Sequence, residues 1–178
     1  MKIAQKNKLP SISYTYTEPA IFAEYALGIM KLAKKAGLKN IWVSNGFWSK
    51  ELFDLIAPYL DAVNIDLKSF SNKFYQKYCG GKLEPVLDTL KRLQANEIWT
   101  EITTLVIPGL NDSDEEFKKI ALFIKKELKA DVPWHISRFF GWVSWKFKNI
   151  PDTPIKTLKR AEKIAKEIGL KNIYIGNI

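Results

Sequence analysis

Short runs of apolar and β-branched residues alternate with amphipathic stretches along almost the whole chain, and this rhythm leaves few folds open. A strand that passes to a helix and then to another strand builds a parallel sheet, because a parallel partner needs a long crossover. The first instance is Ser11–Pro19, SISYTYTEP. Ile12, Tyr14 and Tyr16 alternate with Ser11, Ser13, Thr15 and Thr17, a period of two that predicts a strand over 11–17. Glu18 comes next, and then Pro19, which suits the first turn of a helix. The Glu18 carboxylate therefore sits where strand becomes helix, the end at which ligands bind in α/β barrels and open sheets.

The same alternation continues to the last residues. Residues 1–8 read as the end of a helix. The helix Pro19–Ala36 is expected to bury Phe22, Tyr25, Ala26, Ile29, Leu32, Ala33 and Ala36, with Gly37 as its stop. Asn40–Ser44 is a second strand running into Asn45-Gly46, and Ser49 caps a short helix carrying Leu52, Phe53 and Ile56. Ala62–Leu67 is a third strand with Asp66 and Lys68 at its end. Ser71–Tyr78 and Glu84–Ala95 form a helical pair around Cys79-Gly80-Gly81. Ile98–Ile107 is a fourth strand, and Ser113 with Glu116 forms a capping box for a helix bearing Phe117, Ile120, Ile124 and Leu128. Trp134–Ser137 is a short fifth strand carrying His135, and an irregular aromatic stretch follows from Arg138 to Pro151. Thr153 is expected to cap a helix with Pro154 first and Leu158, Ala161, Ala165 and Ile168 inward; Asn172–Gly176 is the last strand. The pentapeptide GLKNI occurs at Gly37–Ile41 and again at Gly169–Ile173, each time joining a helix end to a strand start. No linker or low-complexity stretch interrupts the chain, so one domain over residues 1–178 is expected.

Composition narrows the setting. The 178 residues are 47% hydrophobic and 26% charged, enough for one domain with a real core. No apolar run reaches the roughly 18 residues of a membrane span, and no secretory leader is visible, which points to the cytoplasm and to no membrane partner. Cys79 is the only cysteine. It forms no disulfide within the chain and no cysteine metal site by itself. The net charge of +9 comes mainly from lysines on the outer faces of predicted helices. Arginine, the better reader of phosphate and bases, is scarce, so the pattern favours a solvated surface over a nucleic-acid patch.

Polar groups recur at predicted strand ends: Glu18, then Ser44-Asn45-Gly46, then Asp66 with Lys68, and His135. Each has a plain structural reading, as a helix-dipole partner, a turn, an ion pair or a bonded core histidine. Together they describe a pocket with two acids, a cation, an imidazole and backbone amides. Such a pocket suits a zwitterionic ligand bearing a sugar, with carboxylates on its ammonium and hydroxyls and the lysine on its carboxylate.

The motifs SYTYTEP (Ser13–Pro19), SNGF (Ser44–Phe47), NIDLKSF (Asn64–Phe70), LVIPGLNDS (Leu105–Ser113), PWHISRF (Pro133–Phe139), TPIKTL (Thr153–Leu158) and YIGN (Tyr174–Asn177) follow in order. In this order the chain resembles radical S-adenosylmethionine (radical SAM) proteins of the pyruvate formate-lyase activating enzyme type, and within them the AmmeMemoRadiSam group. The resemblance implies an α/β fold, an incomplete parallel (β/α) barrel with its first β/α unit missing. It implies that Glu18 supports the methionine ammonium of S-adenosylmethionine and that Ser44 and Lys68 hold its carboxylate. Asp66 and His135 would meet the ribose, Val106 and Ile107 would pack near the adenine, and Asn45 would shape the turn. Tyr16-Thr17 replace the two glycines usual in the family, and Val43 stands where activating enzymes often carry Asp. The CxxxCxxC motif that binds the family's 4Fe–4S cluster is absent. In the family that cluster donates an electron that cleaves the sulfonium to a 5′-deoxyadenosyl radical, which then abstracts a hydrogen atom. The resemblance thus implies a truncated radical SAM core, inactive by itself, with no catalytic residue or metal ligand of its own. It also implies an electron donor such as ferredoxin or flavodoxin and a protein or small-molecule substrate.

Two other readings fit the same residues. Lys68 with Asp66 could serve a Schiff-base barrel aldolase, which borohydride trapping would reveal. Phe139, Phe140, Trp142, Trp145 and Phe147 beside Lys146 and Lys148 could stack on bases in a nucleic-acid-binding module, with a steep salt dependence. A substrate-covering loop is the use of that aromatic run that the barrel reading expects.

Overall fold

The computed structural model describes residues 2–178. Its elements follow the predicted order: α1 (Lys2–Lys6), β1 (Ser11–Tyr14), α2 (Ala23–Lys35), β2 (Lys39–Ser44), α3 (Lys50–Ile56), β3 (Ala62–Asp66), α4 (Asn72–Phe74, continued as a π-turn Tyr75–Cys79), α5 (Glu84–Ala95), β4 (Trp99–Val106), α6 (Asp114–Phe123, with a π-turn Ile124–Leu128), β5 (Trp134–Arg138), α7 (Ile155–Ile168) and β6 (Ile173–Gly176). The described residues divide into two compact units. One runs to Ile65 and includes Pro85–Thr100; the other comprises Asp66–Glu84 and Glu101–Ile178.

In the first unit β1, β2 and β3 lie side by side and parallel, with Tyr14 opposite Trp42 and Ser44 opposite Ile65. β1 stops three residues short of the predicted Thr17. Tyr16 takes a φ of +71°, which breaks the extended run. A 3₁₀ turn over Pro19–Phe22 then precedes α2. At three residues per turn it shifts the phase of the helix. The buried stripe is therefore Ala23, Ala26, Leu27, Met30 and Ala33, whereas Tyr25 and Leu32, expected inside, are 73% and 56% exposed. The core of this unit is aromatic. Trp42 is fully buried, edge-on to Trp48 at 5.4 Å, and tilted against Tyr14 at 6.3 Å. Burying a side chain of that size contributes about 4–6 kcal/mol before conformational entropy is subtracted. Tyr14 Oη donates to Asn40 Oδ1 at 2.9 Å, and Asn40 Nδ2 donates to the carbonyls of Met30 and Tyr59.

In the second unit β4, β5 and β6 are parallel, with Val106 opposite Arg138 and Ser137 opposite Gly176. Phe117, Ile120 and Ile124 from α6 and its π-turn, and Leu158, Ala161 and Ala165 from α7, are buried with Trp134 and Ile136 of β5. The indole Nε1 of Trp134 donates to Thr104 Oγ1 at 3.0 Å, so the buried ring leaves no orphan donor. Two predicted caps differ. Ser113 Oγ accepts from the Glu116 amide, but the Glu116 carboxylate turns to Ser69 and Phe70 and leaves the capping box half made. Thr153 does not cap α7, because its buried hydroxyl donates to the Val106 carbonyl and accepts from the Phe139 amide. The two GLKNI copies fold alike. Gly37 and Gly169 take φ of +73° and +101°, and the following Leu38 and Leu170 amides donate to Ala33 and Ala165 at 2.9 and 3.0 Å. A left-handed glycine closing a helix in this way needs no side chain and carries no Cβ strain.

Candidate functional site

Glu18 and Ser44 are brought together in the first unit. Glu18 is the N-cap of the 3₁₀ turn, and its Oε1 accepts from the Ala20 amide at 3.2 Å and from Ser44 Oγ at 2.6 Å. Its Oε2 accepts from the Asn45 amide at 2.8 Å. Ser44 is 2% exposed, and its Oγ also accepts from Trp48 Nε1 at 2.8 Å and from the Gly46 amide at 3.1 Å. Every hydrogen-bonding site of that hydroxyl is committed inside the protein. In this structure the Ser44 hydroxyl thus serves Glu18, Gly46 and Trp48. Asn45 Oδ1 accepts from the Phe47 amide at 2.8 Å and shapes the turn. Gly46, at φ +72°, leaves only 2.8 Å between an added Cβ and Ile65 Cγ2, so the turn admits no larger residue without a shift.

Asp66 and Lys68 meet in the second unit. Lys68 Nζ donates to Asp66 Oδ2 at 2.7 Å, and the two side chains are 35% and 30% exposed. One of three ammonium N–H groups is used, and the others remain for a ligand. The Lys68 backbone is held at both ends. Its amide donates to Tyr75 Oη at 3.1 Å, and its carbonyl accepts from Asn111 Nδ2 at 2.7 Å. Burial pushes the Tyr75 phenol well above its ordinary range, which keeps it a neutral hydroxyl. Glu116 fixes the next two residues through Ser69 Oγ and the Phe70 amide. Asn111, 2% exposed, also donates to the Leu105 carbonyl at 2.9 Å and accepts from the Ile107 amide at 2.7 Å. It therefore ties the end of β4 to Lys68. In the sequence Tyr75 and Asn111 carry no sign of these roles, and Glu116 reads only as the capping partner of Ser113.

His135 and Val106 do not face an open strand end. His135 is second in β5, not last; its Nε2 lies 2.7 Å from Glu101 Oε2 and its ring stacks on Tyr174 at 5.1 Å. Val106 is fully buried on the face it shares with Ile102 and Thr104. Ile107, with Leu105, lines a cleft, while the Val106 side chain does not.

Among the described residues no three His, Cys, Asp or Glu side chains are grouped to hold a metal ion. A site-differentiated 4Fe–4S cluster takes three thiolates, and the 178 residues contain one, on Cys79. The residues present do not fit a cluster. Among the described residues no helix is long and apolar enough to cross a membrane.

Parallel strands joined by helices define an α/β protein. The Radical SAM superfamily model matches residues 1–124, and the chain belongs to that superfamily. The uncharacterized protein MJ0808 of Methanocaldococcus jannaschii is 40% identical over all 178 residues, which cover 52% of that protein. Pyruvate formate-lyase 1-activating enzyme of Escherichia coli (strain K12) is 22% identical over 167 residues, covering 88% of this chain and 68% of the enzyme. A solved domain of a pyruvate-formate lyase-activating enzyme from Bacteroides vulgatus ATCC 8482 superposes with a TM-score of 0.81 at 18% identity, over 94% of this chain and 99% of that one. The fold is that of the radical SAM partial barrel. The chain spans about half the length of MJ0808.

Proposed function

We propose that this chain is the S-adenosylmethionine-binding part of a radical SAM enzyme of the glycyl-radical-enzyme activating type. The observation that carries the reading is Lys68, a partly exposed ammonium two residues past β3, steered by Asp66 and anchored through Tyr75 and Asn111. On this reading Lys68 takes the ligand carboxylate and Asp66 a ribose hydroxyl. Glu18, with one acceptor site still open on its carboxylate, takes the methionine ammonium, and Ser44 keeps that carboxylate in register. Ile107 offers an apolar surface to the adenine, and Val106 supports it from the buried face. His135 retains Nδ1 for a ribose hydroxyl. When bound, S-adenosylmethionine supplies a sulfonium whose C–S bond breaks on one-electron reduction. The residues of this chain bind and orient that molecule; the thiolates for a reducing cluster are not among them. The partner is then a protein or small-molecule substrate, with ferredoxin or flavodoxin as electron donor.

Calorimetry with S-adenosylmethionine tests the reading. Lys68→Ala is expected to weaken binding about 10- to 150-fold, the equivalent of a charge-assisted contact of about 1.5–3 kcal/mol. Lys68→Arg should recover part of the loss. Circular dichroism of both variants must match the parent. Binding indifferent to Lys68→Ala, or no saturable binding by the parent chain, would overturn the assignment.

A further inference from the structure

The second unit contains a cleft of 650 Å³, well within the size range of small-molecule sites. Its floor and walls are apolar. Tyr78 and Phe147 both line it and meet edge to face at 5.6 Å and 71°. The charges on its wall are all of one sign: Lys68, Arg138 and Lys146 line it, and no carboxylate does. Arg138 is already engaged. Its Nε donates to the Thr153 carbonyl at 2.8 Å and its guanidinium lies 4.8 Å from the Phe140 ring centroid. Lys146 is exposed and has no ion pair among the described residues. Lys68, Cys79 and Lys146 line the same cleft.

We infer that this cleft binds an aromatic carboxylate, its ring system against Tyr78 and Phe147 and its anionic end at Lys146 on the side nearer Lys68. A free ammonium at the edge of an apolar cleft favours an anion over a neutral molecule of the same shape. A cationic molecule of that shape meets the unpaired Lys146 ammonium. The inference goes beyond the cofactor reading, since Lys146 and Phe147 have no part in it. If S-adenosylmethionine also binds at Lys68, the aromatic acid is placed beside it, as a substrate would be.

Ligand-observed NMR titration of the chain with 2-naphthoate, 2-naphthalenemethanol and 2-naphthylmethylammonium tests the inference. The carboxylate should bind about tenfold more tightly than the alcohol, and the ammonium more weakly than either. Lys146→Ala should erase the preference for the carboxylate while leaving the alcohol's affinity unchanged. Phe147→Ala should weaken both by a similar factor, and Lys159→Ala should alter neither. Equal binding of the three probes, or no effect of Lys146→Ala, overturns the inference, as does the lack of saturable binding by any probe. S-adenosylmethionine calorimetry on Lys146→Ala separates the two readings. A chain that binds no S-adenosylmethionine yet keeps the Lys146-dependent preference would defeat only the cofactor assignment.

Discussion

Asn111 Nδ2 donates to the Lys68 carbonyl at 2.7 Å, joining the loop after β4 to the residue two past the end of β3. The same side chain serves the Leu105 carbonyl and the Ile107 amide, so one buried amide satisfies three backbone groups. Replacing it with alanine strands those groups away from water, each at a cost of about 1–3 kcal/mol where no water enters. Asn111→Ala is expected to lower stability by about 3 kcal/mol, read as a shift in urea midpoint at constant slope. It should also weaken S-adenosylmethionine binding without altering any charge. An unchanged midpoint would show that the three bonds do not matter to the fold.

Ser44 and Glu18 should behave as one unit. If Ser44 acts by orienting Glu18, Ser44→Ala and Glu18→Gln each weaken S-adenosylmethionine binding, and the double variant is little worse than Glu18→Gln alone. Additive losses in calorimetry would instead assign Ser44 a contact of its own.

Stability should fall at both ends of the pH scale for separate reasons. Burial pushes the Tyr14 phenol up to about 12, from about 10 in an unfolded chain. A raised value means that its contribution is whole below pH ~10 and is lost as pH climbs toward ~12. Burial pushes Asp61 upward, but the Asn40 amide and the Lys39 and Lys34 ammoniums outweigh it and hold the carboxyl below its usual range. That contribution is whole above the usual carboxylate range and is lost as pH falls through the depressed value. Urea melts across pH should show a smaller alkaline loss in Tyr14→Phe and a smaller acid loss in Asp61→Asn.

Anaerobic incubation of the chain with iron and sulfide should give no stable stoichiometric 4Fe–4S cluster, as judged by iron content and electron paramagnetic resonance. One thiol cannot supply three thiolates, and burial raises the pKa of the Cys79 thiol. The same chain joined to an added segment carrying CxxxCxxC should gain the cluster and then release 5′-deoxyadenosine on reduction. A stable cluster on the 178 residues alone would refute this.

The order of strands and helices was legible because it rests on local signals: period-two runs, the Ser49 and Ser113 caps and the left-handed glycines. The errors lie where a distant group intervenes. Thr153 was read as a cap, yet its hydroxyl bonds to Val106, 47 residues away. Glu116 left its own helix start for Ser69, again 47 residues away. Glu101, the partner of His135, is 34 residues off and gave no local sign. Tyr25 and Leu32 were misplaced by a 3₁₀ turn that shifted the phase of α2. Glu18, Asp66 and Lys68 stand out in sequence as charges at strand ends. Asn111 does not, since what it does is set by three backbone atoms that only the fold brings near.

The twin GLKNI turns give the molecule a pair of matched clocks. The Leu38 and Leu170 amides share the same neighbours in sequence and the same kind of bond, one in each unit. In the open chain they would exchange hydrogen for deuterium at nearly equal rates, because that rate follows local sequence. Any difference in their protection in the folded protein is therefore a direct comparison of how often each unit opens. A ligand held by one unit alone would slow one of these amides and leave the other at its former pace.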